Sequence, residues 1–290
     1  MTRSGFVAIV GRPNVGKSTV MNHLVGQKIS ITSRKPQTTQ HKINGILTVG
    51  DYQFIFVDTP GFQTKYVNKL NQLLNQSVID SLKDVDVVLF VVEAGSFNQA
   101  DLDVVKLLPK AANVILVVNK QDKLKSRDLM DKFITDVSQQ FDFKKVLTTC
   151  AKHHIGIEQI LESIKPYIPQ STFYYSEDQL TDRSNRFLAS EIIREQLFRN
   201  LGQELPYSLT VEIEKFELQK KVNHISALIV VDKDNQKPMI IGKNGEKLKK
   251  IATDARVSME KLLDSKVFLE IFVKVRSGFL HDPKFLEQFN

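Results

Sequence analysis

The sequence predicts two unlike folds in one chain: an α/β domain with a mostly parallel sheet and helices on both faces, then a smaller α+β domain. Three observations predict it. Phe6-Val-Ala-Ile-Val10 is an apolar run of strand length that leads straight into Gly11-Arg-Pro-Asn-Val-Gly-Lys-Ser18, and Val20, Met21, Leu24 and Val25 follow at helical spacing. Val85–Val92 and Val114–Val118 are near-continuous apolar runs, as strands buried on both faces of a parallel sheet require. Beyond Pro166 and Pro169 the order changes to a helix, two strands, a G-x-x-G loop, helical sequence and a last strand.

The first element is the most specific. Gly11 to Ser18 fits G-x-x-x-x-G-K-[ST] at every fixed position, between a buried strand and a helix N-terminus, so the first domain is a P-loop NTPase. Gly11 and Gly16 permit backbone angles that let successive N–H groups point at an anion, and the helix end adds a partial positive charge. The whole loop, with Arg12, Pro13, Asn14 and Val15 between the glycines and Thr19 after them, is expected to wrap the phosphates. Lys17 would reach the β- and γ-phosphates, and the Ser18 hydroxyl would ligate Mg²⁺.

The polar stretch Lys28–His41 is too irregular for an element and too long for a tight turn, the kind of loop that is usually functional. It carries Thr38 and Thr39, either of which would complete a Mg²⁺ shell when a γ-phosphate is present. The strand Tyr52–Val57 then delivers Asp58-Thr59-Pro60-Gly61. A carboxylate at a strand end can hold Mg²⁺ through water, and the Gly61 N–H can meet a γ-phosphate, so the segment reads as a sensor of nucleotide state. Asn119-Lys120-Gln121-Asp122 leaves its strand at the carboxyl edge of the sheet, where ligands of open α/β folds bind. The Asp122 carboxylate can accept both the N1–H and the exocyclic amine of guanine, donors that adenine does not present in that arrangement.

In this order and spacing the first half resembles the translation-factor-like class of P-loop GTPases. The class's last nucleotide element then falls at Cys150-Ala151-Lys152, with Cys150 where serine is usual and the Ala151 N–H toward the guanine oxygen. Phe62 stands after the D-x-x-G, where small regulatory GTPases carry a glutamine that orients water. An apolar ring cannot polarise water, so intrinsic hydrolysis should be slow. GTPases with such a substitution pair an asparagine in the loop with a K⁺ ion that bridges the phosphates, and Asn14 occupies that position. The resemblance therefore implies GTP and GDP as ligands, Mg²⁺ and K⁺ as cofactors, and Lys17, Thr39, Gly61 and Asn14 as the catalytic set.

The chain's 290 residues suit two domains, 42% hydrophobic and 25% charged residues are an ordinary globular balance, and no apolar run reaches the roughly 20 residues that span a bilayer. The single cysteine, Cys150, excludes an internal disulfide framework and fits a reducing compartment. Met1-Thr-Arg-Ser-Gly leads into a core strand rather than reading as a leader, so a cytoplasmic protein is expected. The net charge of +7 favours an acidic partner. It is not a basic tail: residues 1–170 carry 21 basic and 15 acidic side chains, residues 171–290 carry 19 and 18.

The expected domains are 1–170 for nucleotide, a connector over 171–180, and 181–290. In the last, Ser184–Arg199 reads as an amphipathic helix with Phe187, Ile192 and Leu197 or Phe198 inward, and Tyr207–Leu218 alternates with Leu209, Val211, Ile213 and Phe216 on one side. Val222–Val231 is a second strand, 232–238 a polar turn, and Lys266–Val275 the last strand after two helical stretches, the second over Ala255–Leu263. Between them, Ile241-Gly-Lys-Asn-Gly245 is a G-x-x-G loop opening a lysine-rich helix. Gly242 and Gly245 let a backbone lie against a nucleic-acid strand beside Asn244, and Lys243, Lys247 and Lys250 can neutralise phosphates. The order α-β-β-[GxxG]-α-α-β is the plan of a type II KH domain, which clamps about four single-stranded nucleotides.

Taken whole, the chain resembles the Era family of bacterial GTPases, with Ile31-Thr-Ser-Arg34, Pro36-Gln-Thr-Thr39 and Ile240-Ile-Gly-Lys-Asn-Gly245 among the matching stretches. That resemblance implies binding to the 3′ end of small-subunit ribosomal RNA, a role in 30S assembly, a monomeric protein, and a weak peripheral share at the inner face of the cell membrane. No basic amphipathic helix argues for the last of these. The expected mechanism is a switch in which GTP orders Gln37–Thr39 and Asp58–Phe62 and thereby alters RNA binding. The competing reading is an RNA-binding scaffold with little GTP turnover, against which the intact Lys17, Ser18, Asp58 and Asp122 stand.

Overall fold

The computed structural model describes residues 1–33, 35–64, 69–202, 205–219, 221–279 and 282–287. They fall into two compact units, residues 1–30 with 39–182, and residues 31–38 with residues 183–287.

In the first unit β1 (Arg3–Val10), β2 (Ile43–Val49), β3 (Tyr52–Asp58), β4 (Val87–Glu93), β5 (Asn113–Asn119) and β6 (Lys145–Thr148) make a sheet in the order β2-β3-β1-β4-β5-β6. β2 pairs antiparallel with β3, while every other neighbouring pair is parallel. The helices are α1 (Lys17–Val25), α2 (Lys69–Asp80), α3 (Gln99–Val105), α4 (Arg127–Ser138) and α5 (Ile157–Ile164). On one face Ala8, Val10, Val88, Phe90, Leu116 and Val118 pack against Val78 of α2, Val104 of α3 and Val137 of α4. The alternate residues Val7, Ile9, Leu89, Val91, Ile115 and Val117 are equally shut off from solvent, on the side where α1 packs with α5. Burial on both faces is why these strands carry no polar alternation.

Residues 171–182 pack on the outer strands of this sheet. Gln53 Oε1 accepts from the N–H groups of Tyr174 and Tyr175 at 2.8 and 3.0 Å, and Thr181 forms an antiparallel bridge with Gly45.

The second unit contains α6 (Asn185–Asn200), β7 (Leu209–Glu217), β8 (Val222–Val231), α7 (Gln236–Ile241), α8 (Glu246–Leu263) and β9 (Lys266–Val275). Its sheet runs β7-β8-β9, antiparallel then parallel. Ile225, Ala227, Ile229, Val231 and Val267 meet Ile193 and Leu197 of α6 and Ile251, Ala255 and Met259 of α8 in one core. Residues 31–38 join the polar side of α6. Glu195 Oε1 accepts from the Thr32 N–H at 3.0 Å, Lys35 Nζ donates to the Leu201 carbonyl at 2.5 Å, and Arg194 Nη2 donates to the Thr38 carbonyl at 2.5 Å. Arg194 is paired with Glu191 at 2.7 Å, both about 5% exposed or less.

Three expectations are corrected here. The two helical stretches after the G-x-x-G loop are one continuous 18-residue helix, α8, because Ile251, Ala255 and Met259 recur every four residues with no breaker between them. The extra helix, α7, lies before the loop, where the sequence suggested a turn followed by an apolar pair. Leu188 rather than Phe187 is buried in α6; the Phe187 ring sits half-buried under the Arg183 guanidinium at 4.9 Å. The slip in the alternation of β7 from Ile213 to Phe216 is a bulge, with the register shifting between Ile213 and Lys215.

Candidate functional sites

The glycine-rich loop leaves β1 and ends at α1, whose N-cap, Gly16, has φ 105 and offers no side-chain cap. The first N–H groups of α1 are therefore left for a ligand rather than closed by a hydroxyl or carboxylate. A Cβ on Gly16 would stand 2.3 Å from Asn119 Nδ2, so only glycine fits where the loop passes β5. Val15 is fully buried, Asn14 is left-handed at φ 66, and Arg12 is tied down by Asp101, Nε to Oδ2 at 3.0 Å, and by Ser96. Neither Asp101 nor Ser96 was legible as a partner of the loop.

Lys17 lies at the centre, 6% exposed, with Nζ donating to the Arg12 carbonyl at 3.1 Å. Burial pushes its ammonium down to about 8, with Asp58 opposing and Arg12 reinforcing the shift. Asp58, at the end of β3, is fully buried and takes three hydroxyls on Oδ2: Ser18 at 2.7 Å, Ser30 at 2.8 Å and Thr39 at 3.5 Å. Ser18 Oγ and Thr39 Oγ1 are themselves 2.8 Å apart. Asp58 Oδ1 is buried with no hydrogen-bond partner among the described residues. Burial raises the carboxyl's pKa against the pull of Ser18, Lys17, Ser30 and Thr39. A cluster of hard oxygen donors with one carboxylate oxygen unsatisfied fits Mg²⁺, and Ser18, Asp58 and Thr39 are the residues that would hold it. Of the two threonines read from the sequence, Thr39 joins this cluster. Thr38 does not: its hydroxyl is 2.6 Å from Ser33 Oγ and donates to the Lys35 carbonyl at 2.8 Å. Ser30 is the residue that sequence reasoning missed, since a lone serine in a polar loop carries no signal. Thr59 donates to the Ile9 carbonyl at 2.9 Å, with Pro60 and Gly61 following on the way to Phe62. Phe62 is 8% exposed and packs in the core.

The second wall is built from the ends of β5 and β6. Asn119, 2% exposed, donates from Nδ2 to the Val15 carbonyl at 2.8 Å, and its Oδ1 accepts from the Ala151 N–H at 3.0 Å and from Thr149 Oγ1 at 3.2 Å. The Ala151 N–H that the sequence assigned to a purine oxygen is thus donated to Asn119 here. Lys120, left-handed at φ 60, reaches the Asn14 carbonyl at 2.6 Å and Glu93 at 2.7 Å. Asp122 and Lys152 are exposed, and the buried Cys150 thiol donates to Asp122 Oδ1 at 3.0 Å. Burial, then that hydrogen bond, raises the thiol's pKa, and the same bond lowers that of Asp122.

In the second unit the chain leaves α7 through Gly242, at φ 75 and ψ 179, then passes Asn244 and Gly245 in left-handed conformations. A Cβ on Gly242 would stand 2.7 Å from Lys247 Cβ. Ile240 is fully buried and Ile241 half-buried, which anchors the loop while Lys243, Asn244 and Lys250 stay exposed. Lys247 is exposed too, but its Nζ donates to the Met239 carbonyl at 3.0 Å and braces the end of α7. Arg34 of the stretch Ile31–Arg34 lies outside the described residues.

A model of the family described as 50S ribosome-binding GTPase matches residues 6–120, and one for the KH domain matches residues 204–279. The GTPase Era of Chromobacterium violaceum is 55% identical over 285 residues, covering 98% of this chain and 96% of its own. That of Neisseria meningitidis serogroup A is 56% identical over 288 residues, covering 99% and 94%. The chain belongs to the Era family of GTPases. A solved Era of Aquifex aeolicus bound to GDP·AlF₄⁻ superposes with a TM-score of 0.93 at 32% identity, covering 100% of this chain and 99% of that one. Another solved Era, in complex with MgGDPNP and nucleotides 1506–1542 of 16S ribosomal RNA, gives 0.94 at the same identity and coverage. Like the other members, this Era-family chain is a P-loop GTPase followed by a KH domain. Among the described residues no helix is long and apolar enough to cross a membrane.

Proposed function

We propose that this GTPase works as a switch whose nucleotide site sets its affinity for the 3′ segment of small-subunit ribosomal RNA, in the course of 30S maturation. One observation carries the nucleotide half: Ser18, Thr39 and the orphaned Asp58 oxygen gather beside buried Lys17 at an uncapped helix start. Lys17 holds the β- and γ-phosphates, the α1 N–H groups and Gly61 surround them, and Asp122 reads the guanine edge. Mg²⁺, when bound with the nucleotide, neutralises charge on the phosphate oxygens. Phe62, the residue after Gly61, is packed in the core and its ring cannot polarise the attacking water, so slow turnover by the protein alone is expected. Asn14 would add a K⁺ ion that supplies part of the missing charge. We place the protein in the cytoplasm as a monomer, with any share at the membrane held peripherally.

The RNA half follows the solved relative that carries 16S nucleotides, on Ile241, Gly242, Lys243, Asn244, Gly245, Lys247 and Lys250. Chain continuity supports coupling: Thr39 sits with Ser18 and Asp58, while the Thr38 carbonyl just before it accepts from Arg194 of α6. Whatever orders Thr39 must act on that residue. The test is the affinity for a 3′-terminal 16S fragment with GDP and with a non-hydrolysable GTP analogue. A difference is expected, matched by an equal change in nucleotide affinity when RNA is present; identical RNA affinities in the two states would remove the switch.

A further inference from the structure

Cys150, Asp122 and His153 bring three kinds of metal-binding atom together: a thiol sulfur, a carboxylate oxygen and an imidazole nitrogen, all within 4.8 Å of one another. The placement has a local cause. Residues 151–153 form a single 3₁₀ turn with Cys150 at its N-cap, and the His153 N–H donates to the Cys150 carbonyl at 2.9 Å, which draws the two residues together. Asp122 enters from the turn Gln121–Lys123 after β5, and its Oδ1 is already 3.0 Å from the Cys150 sulfur.

We propose that these three side chains form a site for a thiophilic divalent cation of the zinc class, and that this cation and guanine exclude each other because both need the Asp122 carboxylate. The donor set chooses the metal: one sulfur, one nitrogen and one oxygen suit Zn²⁺, Co²⁺ or Cd²⁺, whereas Mg²⁺ takes oxygen donors throughout. The spacing suits it as well. Ligand bonds of about 2.0–2.3 Å in a tetrahedron put donors about 3.5 Å apart. The Cys150–Asp122 distance is already near that value, and the exposed Asp122 and His153 side chains are free to close the rest around the buried sulfur. Water fills the fourth position. Binding replaces the S–H···O bond with a metal–sulfur bond, and the thiol proton leaves to solvent, one per cation bound.

The exclusion clause rests on the reading of Asp122 as the guanine-reading carboxylate; the site itself does not. The protein would then be held without nucleotide by a cation that the phosphate end of its site does not select. In a cell such an interaction would matter under metal excess or after loss of nucleotide.

The test uses the full chain, stripped of nucleotide and in Mg²⁺-free buffer, titrated with Co²⁺. A sulfur-to-cobalt charge-transfer band saturating at one equivalent is expected, and Zn²⁺ should bleach it. Cys150→Ser should abolish the band. His153→Ala, at an exposed position, should weaken Co²⁺ binding by at least about tenfold, since even loss of an outer partner of a metal ligand costs that much. No band, or a band that survives Cys150→Ser, overturns the site. Excess GDP should erase the band and excess ADP should leave it. A band indifferent to GDP would overturn the exclusion, and with it the reading of Asp122, while leaving the metal site standing.

Discussion

The Asn119 carboxamide donates to the Val15 carbonyl across 2.8 Å, fastening the base-reading end of β5 to the phosphate loop after β1. Its oxygen serves Thr149 and the Ala151 N–H as well, so one buried side chain joins three segments that are distant in sequence. Asn119→Ala strands a carbonyl, a hydroxyl and an N–H in the interior and is expected to cost about 3 kcal/mol of stability, from about 1–3 kcal/mol for each orphaned group partly relieved by water. Thr149→Val removes a single bond and should cost about 1 kcal/mol. Urea unfolding of the nucleotide-free protein measures both, and equal losses in the two variants would mean that Asn119 does not hold the segments together.

Lys17 gives a pH dependence with a definite sign. The unfolded chain keeps this proton up to the ordinary 10.5, whereas the folded, nucleotide-free protein keeps it only to about 8 because burial strips the ammonium of water. Between those values the unfolded state binds more protons, so stability rises with pH across the window, and below about 8 the buried charge is a steady cost. Measured against Lys17→Met, which removes the titration, the wild type should gain stability as pH goes from 8 toward 10. Bound phosphate holds the ammonium in its charged form, so GDP binding at pH 9 should take up a proton. Calorimetry in two buffers of different ionisation enthalpy reads that uptake directly, and finding none would show that Lys17 does not meet the phosphates.

Both predictions concern a site whose outline was legible and whose wiring was not. The P-loop, D-x-x-G and N-K-x-D stretches announce themselves because phosphate and base contacts demand fixed residue types at fixed spacing. Ser30 on Asp58 and Asp101 on Arg12 are long-range pairings of ordinary polar residues, and no period or motif marks them. The same division runs through the second unit. Leu209, Val211 and Ile213 gave β7 its inward face, but the bulge before Phe216 was not read from the alternation, and α7 was missed because six residues are too few for a helical period to show. Choosing between Thr38 and Thr39 needed coordinates, since adjacent threonines are equivalent in sequence.

The buried pair on α6 is a third point of attack. Arg194 and Glu191 are about 5% exposed or less, and the guanidinium also serves the Thr38 carbonyl. Arg194→Leu takes the guanidinium away from a buried carboxylate and should cost about 3–5 kcal/mol, whereas Arg194→Leu with Glu191→Leu should recover much of it, because a buried ion pair is worth little over an apolar substitute. A double variant no more stable than Arg194→Leu would mean that the loss comes from the Thr38 contact rather than from the charge pair with Glu191.

K⁺ dependence is expected through Asn14, held in a left-handed conformation at φ 66 within the phosphate loop. GTP turnover should be faster in KCl than in NaCl at equal ionic strength, and Asn14→Ala should remove the difference while leaving the slow Na⁺ rate. Equal rates in both salts for the wild type would dispose of the ion.

The G-x-x-G loop separates shape from charge. Gly242 sits at φ 75 with no room for a Cβ, which would meet Lys247 Cβ at 2.7 Å, and Lys247 in turn braces the end of α7 through the Met239 carbonyl. Gly242→Asp therefore strains the backbone and moves Lys247, so it should weaken RNA binding at every salt concentration and lower the unfolding midpoint. Lys243 is exposed, so Lys243→Ala should leave stability within about 0.5 kcal/mol. If it meets a phosphate of a single strand, its loss should shallow the dependence of log K on log salt by about 0.7. RNA binding measured from low to high salt on both variants decides the matter. A salt slope unchanged by Lys243→Ala, with affinity intact in Gly242→Asp, would place the RNA elsewhere on the second unit.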